Sequence, residues 1–446
     1  MLSKANAEIL FDFQCKLRGM YKDLPSFEQG WKEDTSKIME ELLLKLVNND
    51  PFYHPHYLGH MSGYICDISV MSYFLTMQIN PNNHSYDGGR ATTEMEVECM
   101  NSMANMIGWE SYHGHLTSGG TSGNLEALWF HKENGAKTII FSSNAHYTHK
   151  RMARLLGMDY IELASDHCGR MDIRHLTKVL TTLPTPSPVI VCTLGTTLMG
   201  ALDPLHDILE LRKNHSFIIH VDAAYGGYFY LIRNSLSYVN KIIYDSLPKA
   251  DSVVIDPHKH GLQGFGCGAV LFNKGRQSEI ENAYRHDSPY TYFDRRGKNI
   301  GETSLECSRP GAAAAALWAT MNYLPLIENG EFADALMSCH ITAKKIAKRL
   351  DESGLFKLLT PDPDLDIVVF YIDCINITAS TEKLYDRLRL IGFYVALAQC
   401  DIVSHAGTLS SEKCIRMTLM KKEHSDVCDL LIENIISIGE EIIRGI

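Results

Sequence analysis

The chain has 446 residues, a formal net charge of -11 and an isoelectric point near 6.0. That acidic balance argues against nucleic acid or an anionic membrane as the main partner, because both reward a basic surface. Hydrophobic residues at 45% and charged residues at 21% are ordinary for a globular enzyme, and the length suits one large and one small domain.

Residues 1–80 read as a helical and loop-like N-terminal segment. No charged leader followed by an apolar run stands near Met1, so no signal peptide is expected. "DPFYHPHYLGHMSG" from Asp50 is rich in His, Tyr, Pro and Gly and reads as a structured loop. Residues 81–329 read as a large α/β domain. Five short runs in it are almost uniformly apolar: "KTIIFSS", "PVIVCTLGTT", "FIIHVDAA", "SVVIDPH" and "GAVLF". This pattern fits central strands covered on both faces. Helix-period segments such as "LHDILELRKN" lie between them, so a mostly parallel sheet is expected. In such sheets ligands bind beyond the carboxyl ends of the strands. "AAAAALWATMNYLPLI" from Ala312 is short for a bilayer span and contains Asn322 and Pro325, so it reads as a buried helix. Residues 330–446 read as a small α+β domain containing "LDIVVFYID" and "CIRMTLM".

The 12 cysteines are irregularly spaced and lack any C-x-x-C pair. They read as reduced thiols of a cytoplasmic protein rather than a disulfide framework or a zinc site. The pairs His113/His115 and His258/His260 lack the neighbouring Cys or carboxylate pattern of a metal centre, so no metal is expected.

Four features fall at strand ends. "TSGGTSGNLEALWF" (Thr117 to Phe130) is glycine-rich and runs into a helical pattern. Such a loop offers free N–H groups and a helix dipole to a phosphate, with hydroxyls from Thr121 and Ser122. A glycine turn capping a helix has the same appearance. His146 follows the Ile139 run. Asp222 ends "FIIHVD" beside the small residues Ala223, Ala224, Gly226 and Gly227, and a carboxylate there must find a partner. Lys259 ends "VVIDPHK", a costly place for a lysine unless its amine has chemistry to do. Pyridoxal 5'-phosphate (PLP) needs such a lysine, an anion at its pyridine nitrogen, a phosphate site and planar packing.

The sequence resembles the group II PLP-dependent amino-acid decarboxylases, in the tyrosine or glutamate decarboxylase-like branch. The resemblance rests on "NPNNHSYDGGRATTEMEVE", "GHLTSGGTSGNLEAL", "NAH" ending at His146, "TLGTT", "HVDAAYGG" and "DPHK", in order across Asn80 to Gly311. It implies the aspartate-aminotransferase-like fold and a homodimer whose active sites lie at the subunit interface. It also implies roles. Lys259 would form the Schiff base, Asp222 would hold the pyridinium proton, and His146 and Ala224 would pack on the two ring faces. Thr121, Ser122 and Gly123 would bind the phosphate, with Asp256 and His258 nearby, and Thr196 would line the site. Tyr290 or Tyr292, in "DSPYTYFDRRG", would return a proton to Cα. Arg416 is a candidate for the substrate carboxylate, with an edge-strand surface arginine as its bland alternative. His56 and Tyr57 would lie near the substrate, and their aromatic segment favours an aromatic amino acid over a dicarboxylic one. His260 departs from the family pattern, where an apolar or aromatic residue often follows the lysine. Another PLP carbon–carbon lyase, an aldehyde synthase, a non-catalytic homologue and a metal-dependent hydrolase remain as alternatives.

Overall fold

The computed structural model describes residues 1–23, 34–183, 187–273, 283, 300–403 and 409–445. Its large sheet has seven strands: β1 (Tyr112–Thr117), β2 (Thr138–Ser142), β3 (Asp159–Leu163), β4 (Val189–Thr193), β5 (Ile218–Asp222), β6 (Ser252–Ile255) and β7 (Gly268–Asn273). The order is β1-β7-β6-β5-β4-β2-β3. The five apolar runs are β2, β4, β5, β6 and β7. Strands β3, β2, β4, β5 and β6 pair in parallel, and β7 lies antiparallel between β6 and β1. Helices cover both faces, so Ile139, Ile190, Val221 and Val253 expose nothing. Each such side chain contributes roughly 1.5–3 kcal/mol by leaving water. The carboxyl ends of β4, β5 and β6 therefore meet at one sheet edge, where Thr193, Asp222 and the turn after Ile255 come together.

The stretch Asn80 to Glu98 has a structural job. Glu96 is buried in the helix Arg90–Met106 and takes Arg309 Nη1 at 2.5 Å, the Leu116 amide at 2.9 Å and Asn83 Nδ2 at 2.6 Å. A buried ion pair with its remaining lone pairs hydrogen-bonded is the tolerated form of such a pair.

The small domain carries an antiparallel sheet of β8 (Phe356–Leu358), β9 (Ile367–Ile372), β10 (Ala396–Val403) and β11 (Leu409–Thr418), in the order β10-β11-β9-β8. The helices Glu331–Glu352 and His424–Arg444 pack on each other beside it. The N-terminal segment is stitched to this unit: the Leu58 amide donates to Tyr394 O at 2.7 Å and the Thr418 amide to Leu58 O at 2.9 Å. One expectation is corrected here. Cys400 and Cys414 are disulfide-bonded, because the β10–β11 register sets them diagonally across the two strands with Cα atoms 6.6 Å apart. The other ten cysteines are free thiols. Among the described residues no helix is long and apolar enough to cross a membrane.

Candidate active site

The strand ends open into a cleft of about 470 Å3. Asp222, the last residue of β5, lies within it. A carboxylate ending an apolar strand must be satisfied locally. Its Oδ2 is 3.0 Å from His149 Nε2, and its Oδ1 accepts the Ala224 amide at 3.2 Å. Burial alone would raise this carboxyl. The His149 hydrogen bond and charge, with help from Lys259, outweigh burial and hold it well below the usual carboxylate range. Asp222 is therefore ionised at neutral pH. Sequence reasoning singled out His146 and missed His149, although His149 lies only three residues later, in the first turn of the helix Thr148–Leu156. His146 lines the cleft, with Nδ1 2.6 Å from Thr148 Oγ1. Burial lowers its pKa, so the ring is neutral and suited to stacking.

The turn after β6 carries Asp256, His258 and Lys259. Asp256 Oδ2 lies 3.2 Å from Lys259 Nζ and 3.7 Å from His258 Nε2. Burial raises the Asp256 carboxyl, against the pull of Lys259 and His258. His258 Nδ1 donates to Cys267 O at 2.8 Å, which aims Nε2 at Asp256. This carboxylate sits against the start of the helix Gly120–Glu133. A Cβ on Gly120 would fall 2.6 Å from Asp256 Oδ2, so only glycine fits there.

The same helix start lines the cleft. The amides of Gly120, Thr121 and Ser122 lie in the first turn, where no intrahelical carbonyl reaches them. Ser118 Oγ and Ser122 Oγ are 2.8 Å apart. These groups fit a phosphate, the ionised Asp222 fits a protonated pyridine nitrogen, and Lys259 Nζ fits an aldehyde carbon. The residues present therefore suit PLP.

Thr121, Ser122, Ala224, Asp256, His258 and Lys259 line the cleft. Gly123 lies one step deeper, where a Cβ would meet Val254 at 3.2 Å, so it serves helix-to-sheet contact. Thr196 is buried and accepts the Ala201 amide at 3.0 Å, while Thr193, Gly195 and Thr197 reach the cleft. His56 stacks on Phe393 at 4.2 Å, and Tyr57 pairs with Tyr394; from that segment it is Met61 that reaches the cleft. Arg416 lies on β11, between β10 and β9, and is buried. Its Nη1 donates to Gly59 O at 3.3 Å, while Nε and Nη2 have no hydrogen-bond partner among the described residues. Tyr290 and Tyr292 lie outside the described residues. Both His-x-His pairs are engaged: His115 Nε2 is 3.0 Å from Glu126, and burial beside His115 lowers His113 to about 4.

A family model described as the pyridoxal-dependent decarboxylase conserved domain matches residues 21–373. The chain is 26% identical over 383 residues to a probable L-tyrosine/L-aspartate decarboxylase of Methanosphaera stadtmanae, covering 82% of this chain and 90% of that protein. It is 26% identical over 415 residues to an L-2,4-diaminobutyrate decarboxylase of Acinetobacter baumannii, covering 82% and 78%. Its fold matches the crystal structure of an Oryza sativa protein, titled TDC with PLP and tryptamine, with a TM-score of 0.78. That match has 15% identity and covers 98% of each chain.

Proposed function

The chain belongs to the pyridoxal-dependent decarboxylase family, and from that premise we propose that its substrate is an L-amino acid with an aromatic side chain. It is a PLP-dependent amino-acid decarboxylase, forming an amine and CO2. The observation that carries the site assignment is the convergence of Lys259, the ionised Asp222 and the open helix start on one cleft. When bound, the cofactor supplies an aldehyde that condenses with amines and a ring that accepts the electron pair left as the Cα–carboxylate bond breaks. Lys259 would hold the aldehyde through its amine. Asp222 would hold the proton on the ring nitrogen, and His149 holds Asp222 charged. His146 and Ala224 would pack against the ring, and the helix start would hold the phosphate.

Arg416 is proposed to take the substrate α-carboxylate. A buried guanidinium with two nitrogens unpaired among the described residues favours an anion, and its neighbour Gly59 is two residues from Met61 in the cleft. The aromatic preference rests on the lining. Met61, Tyr147, Tyr225 and Phe265 contribute apolar surface, and Lys259 is the only Lys or Arg among the described lining residues. A dicarboxylic side chain would need a further cation. Assaying CO2 release from each proteinogenic amino acid tests this. Preference for tyrosine, tryptophan or phenylalanine is expected, and preference for aspartate or glutamate would overturn it.

We also propose a homodimer. The helices Lys4–Met20 and Thr35–Leu46 bury no residue in the chain, yet they expose Phe11, Phe13, Leu43 and Leu44. Apolar helix faces of this kind are normally covered by a partner. Sedimentation should give twice the chain mass of 50.2 kDa. Ten of the twelve cysteines are free thiols, which supports a cytoplasmic location against the one Cys400–Cys414 bond.

Tyr290 or Tyr292 is proposed to return the proton to Cα. Replacing the correct one by Phe should leave cofactor binding intact, slow amine formation by on the order of 10²-fold or more, and divert product to aldehyde through oxygen. Measuring both products from each variant checks this; parental amine rates from both, without aldehyde, would place the donor elsewhere.

A further inference from the structure

His260, the residue after the proposed cofactor lysine, is buried and does not line the cleft. Its Nδ1 is 3.0 Å from Tyr225 O, and a carbonyl can only accept, so Nδ1 carries a hydrogen. Its Nε2 is 2.8 Å from Asp366 Oδ2. One further proton must lie on that line, held either by the imidazole or by the carboxyl. The other oxygen, Asp366 Oδ1, accepts the Tyr225 hydroxyl at 2.6 Å. Three residues therefore close a ring of three hydrogen bonds. Tyr225, His260 and Asp366 are respectively 2%, 4% and 0% exposed, so water does not compete for these groups.

The three residues come from three parts of the fold. Tyr225 follows Ala224 at the end of β5 and lines the cleft. His260 belongs to the turn that carries Lys259. Asp366 immediately precedes β9 of the small domain, and its carbonyl accepts the Leu419 amide at 2.9 Å, three residues beyond Arg416. The His260 ring is wedged edge-on against Tyr225 and Phe229, with centroids 4.6 and 5.0 Å away. An apolar residue at 260 could fill that space but could not reach across to Asp366.

We propose that His260, Asp366 and Tyr225 form a positioning clasp that holds Lys259 of the large domain and Arg416 of the small domain in one frame. The clasp rests on the reading that Lys259 meets the cofactor and Arg416 the substrate carboxylate. Of the three, only Tyr225 reaches the cleft; His260 and Asp366 act through the residues they hold. The clasp's contribution is to the distance between two groups that must act on one substrate, and small misplacements of such groups cost rate steeply.

Two substitutions at Asp366 separate position from charge. In Asp366→Asn all three hydrogen bonds survive with neutral partners. The amide oxygen accepts from Tyr225, and the amide nitrogen donates to a neutral His260 Nε2. In Asp366→Ala two are lost, and the Tyr225 hydroxyl and His260 Nε2 lose their partner. The Asp366→Ala protein should show KM for the amino acid raised between about tenfold and a hundredfold. Amide exchange across residues 257–263 should quicken in it. Asp366→Asn should stay within about threefold of the parent in KM, with parental exchange. A merely structural role would lower the melting temperature of Asp366→Ala without moving KM or that local exchange, and this result would overturn the clasp. So would an Asp366→Asn protein as impaired as Asp366→Ala. If Asp366→Ala does not fold, Tyr225→Phe removes one side of the ring alone and should show smaller changes of the same kind; no change in either readout would likewise overturn it. Amide exchange is read without turnover. A parent that decarboxylates nothing would therefore refute the proposed function while leaving the clasp decided by exchange.

Discussion

Replacing Asp222 by Ala should leave PLP capture at Lys259 measurable while amine formation falls by on the order of 10²–10³-fold or more. β5 is apolar along its length and ends in a carboxylate whose partners are the buried His149 and the Ala224 amide. Burial would raise this carboxyl, yet His149 and Lys259 hold it below the usual range. The sign of the pH dependence follows. A depressed carboxyl keeps its charge as pH falls through the mildly acidic range and loses it only below the ordinary carboxylate values. Its contribution to stability is likewise retained above those values. An acid limb in the rate between neutrality and pH ~5 should therefore belong to another group. Asp222→Asn preserves size but cannot hold a ring proton by charge, so it should lose nearly as much as Asp222→Ala. His149→Ala should weaken the carboxylate indirectly and lose less. The decisive measurement is turnover at saturating cofactor for all three. Near-parental turnover of Asp222→Ala with PLP bound would remove the residue from the chemistry.

The parts of this molecule legible in its sequence are those governed by local pattern. Five strands announced themselves because a strand buried on both faces is an unbroken apolar run. Two were silent. β1 reads "YHGHLT", with two histidines and a glycine, and β3 is an edge strand with Asp159 and Glu162 exposed. The cleft was legible because its residues terminate those same runs. Its supporting groups were not, since each depends on a partner distant in sequence. His149 is explained only by Asp222, 73 residues on. His260 is explained only by Asp366, 106 residues on. Glu96 is explained by Arg309, and the bond between Cys400 and Cys414 by a hairpin register. Arg416 read equally as an edge-strand surface residue, and the sheet order decides the point by placing β11 in the interior. His56 and Tyr57 were expected near the substrate because the family resemblance implies it, and their aromatic segment favoured an aromatic substrate. The aromatic contacts of that segment run instead to Phe393 and Tyr394 of the small domain.

Borohydride reduction of the PLP-loaded protein followed by peptide mapping should place a pyridoxyl group on Lys259, and Lys259→Ala should take no such label. The expectation follows from position. Lys259 is three residues beyond Asp256, in a turn closed by its own amide donating to Asp256 O at 3.0 Å. Its ammonium meets the Asp256 carboxylate at 3.2 Å and shares the cleft with Asp222. Two carboxylates and a lysine in one buried space are an electrostatic arrangement that a protein keeps for chemistry rather than for stability. Lys259→Ala also removes the amine that must be exchanged for the substrate amine, so the rate should fall by on the order of 10²–10⁴-fold or more. Added methylamine should restore part of it, since a small amine can enter a space the size of the missing side chain. Asp256→Ala is the control for position. It leaves the amine in place without its partner, and labelling at Lys259 should persist at reduced cofactor affinity. A pyridoxyl group found on another lysine, or full turnover by Lys259→Ala, would dismantle the site as assigned, because the other cleft groups are arranged around this amine.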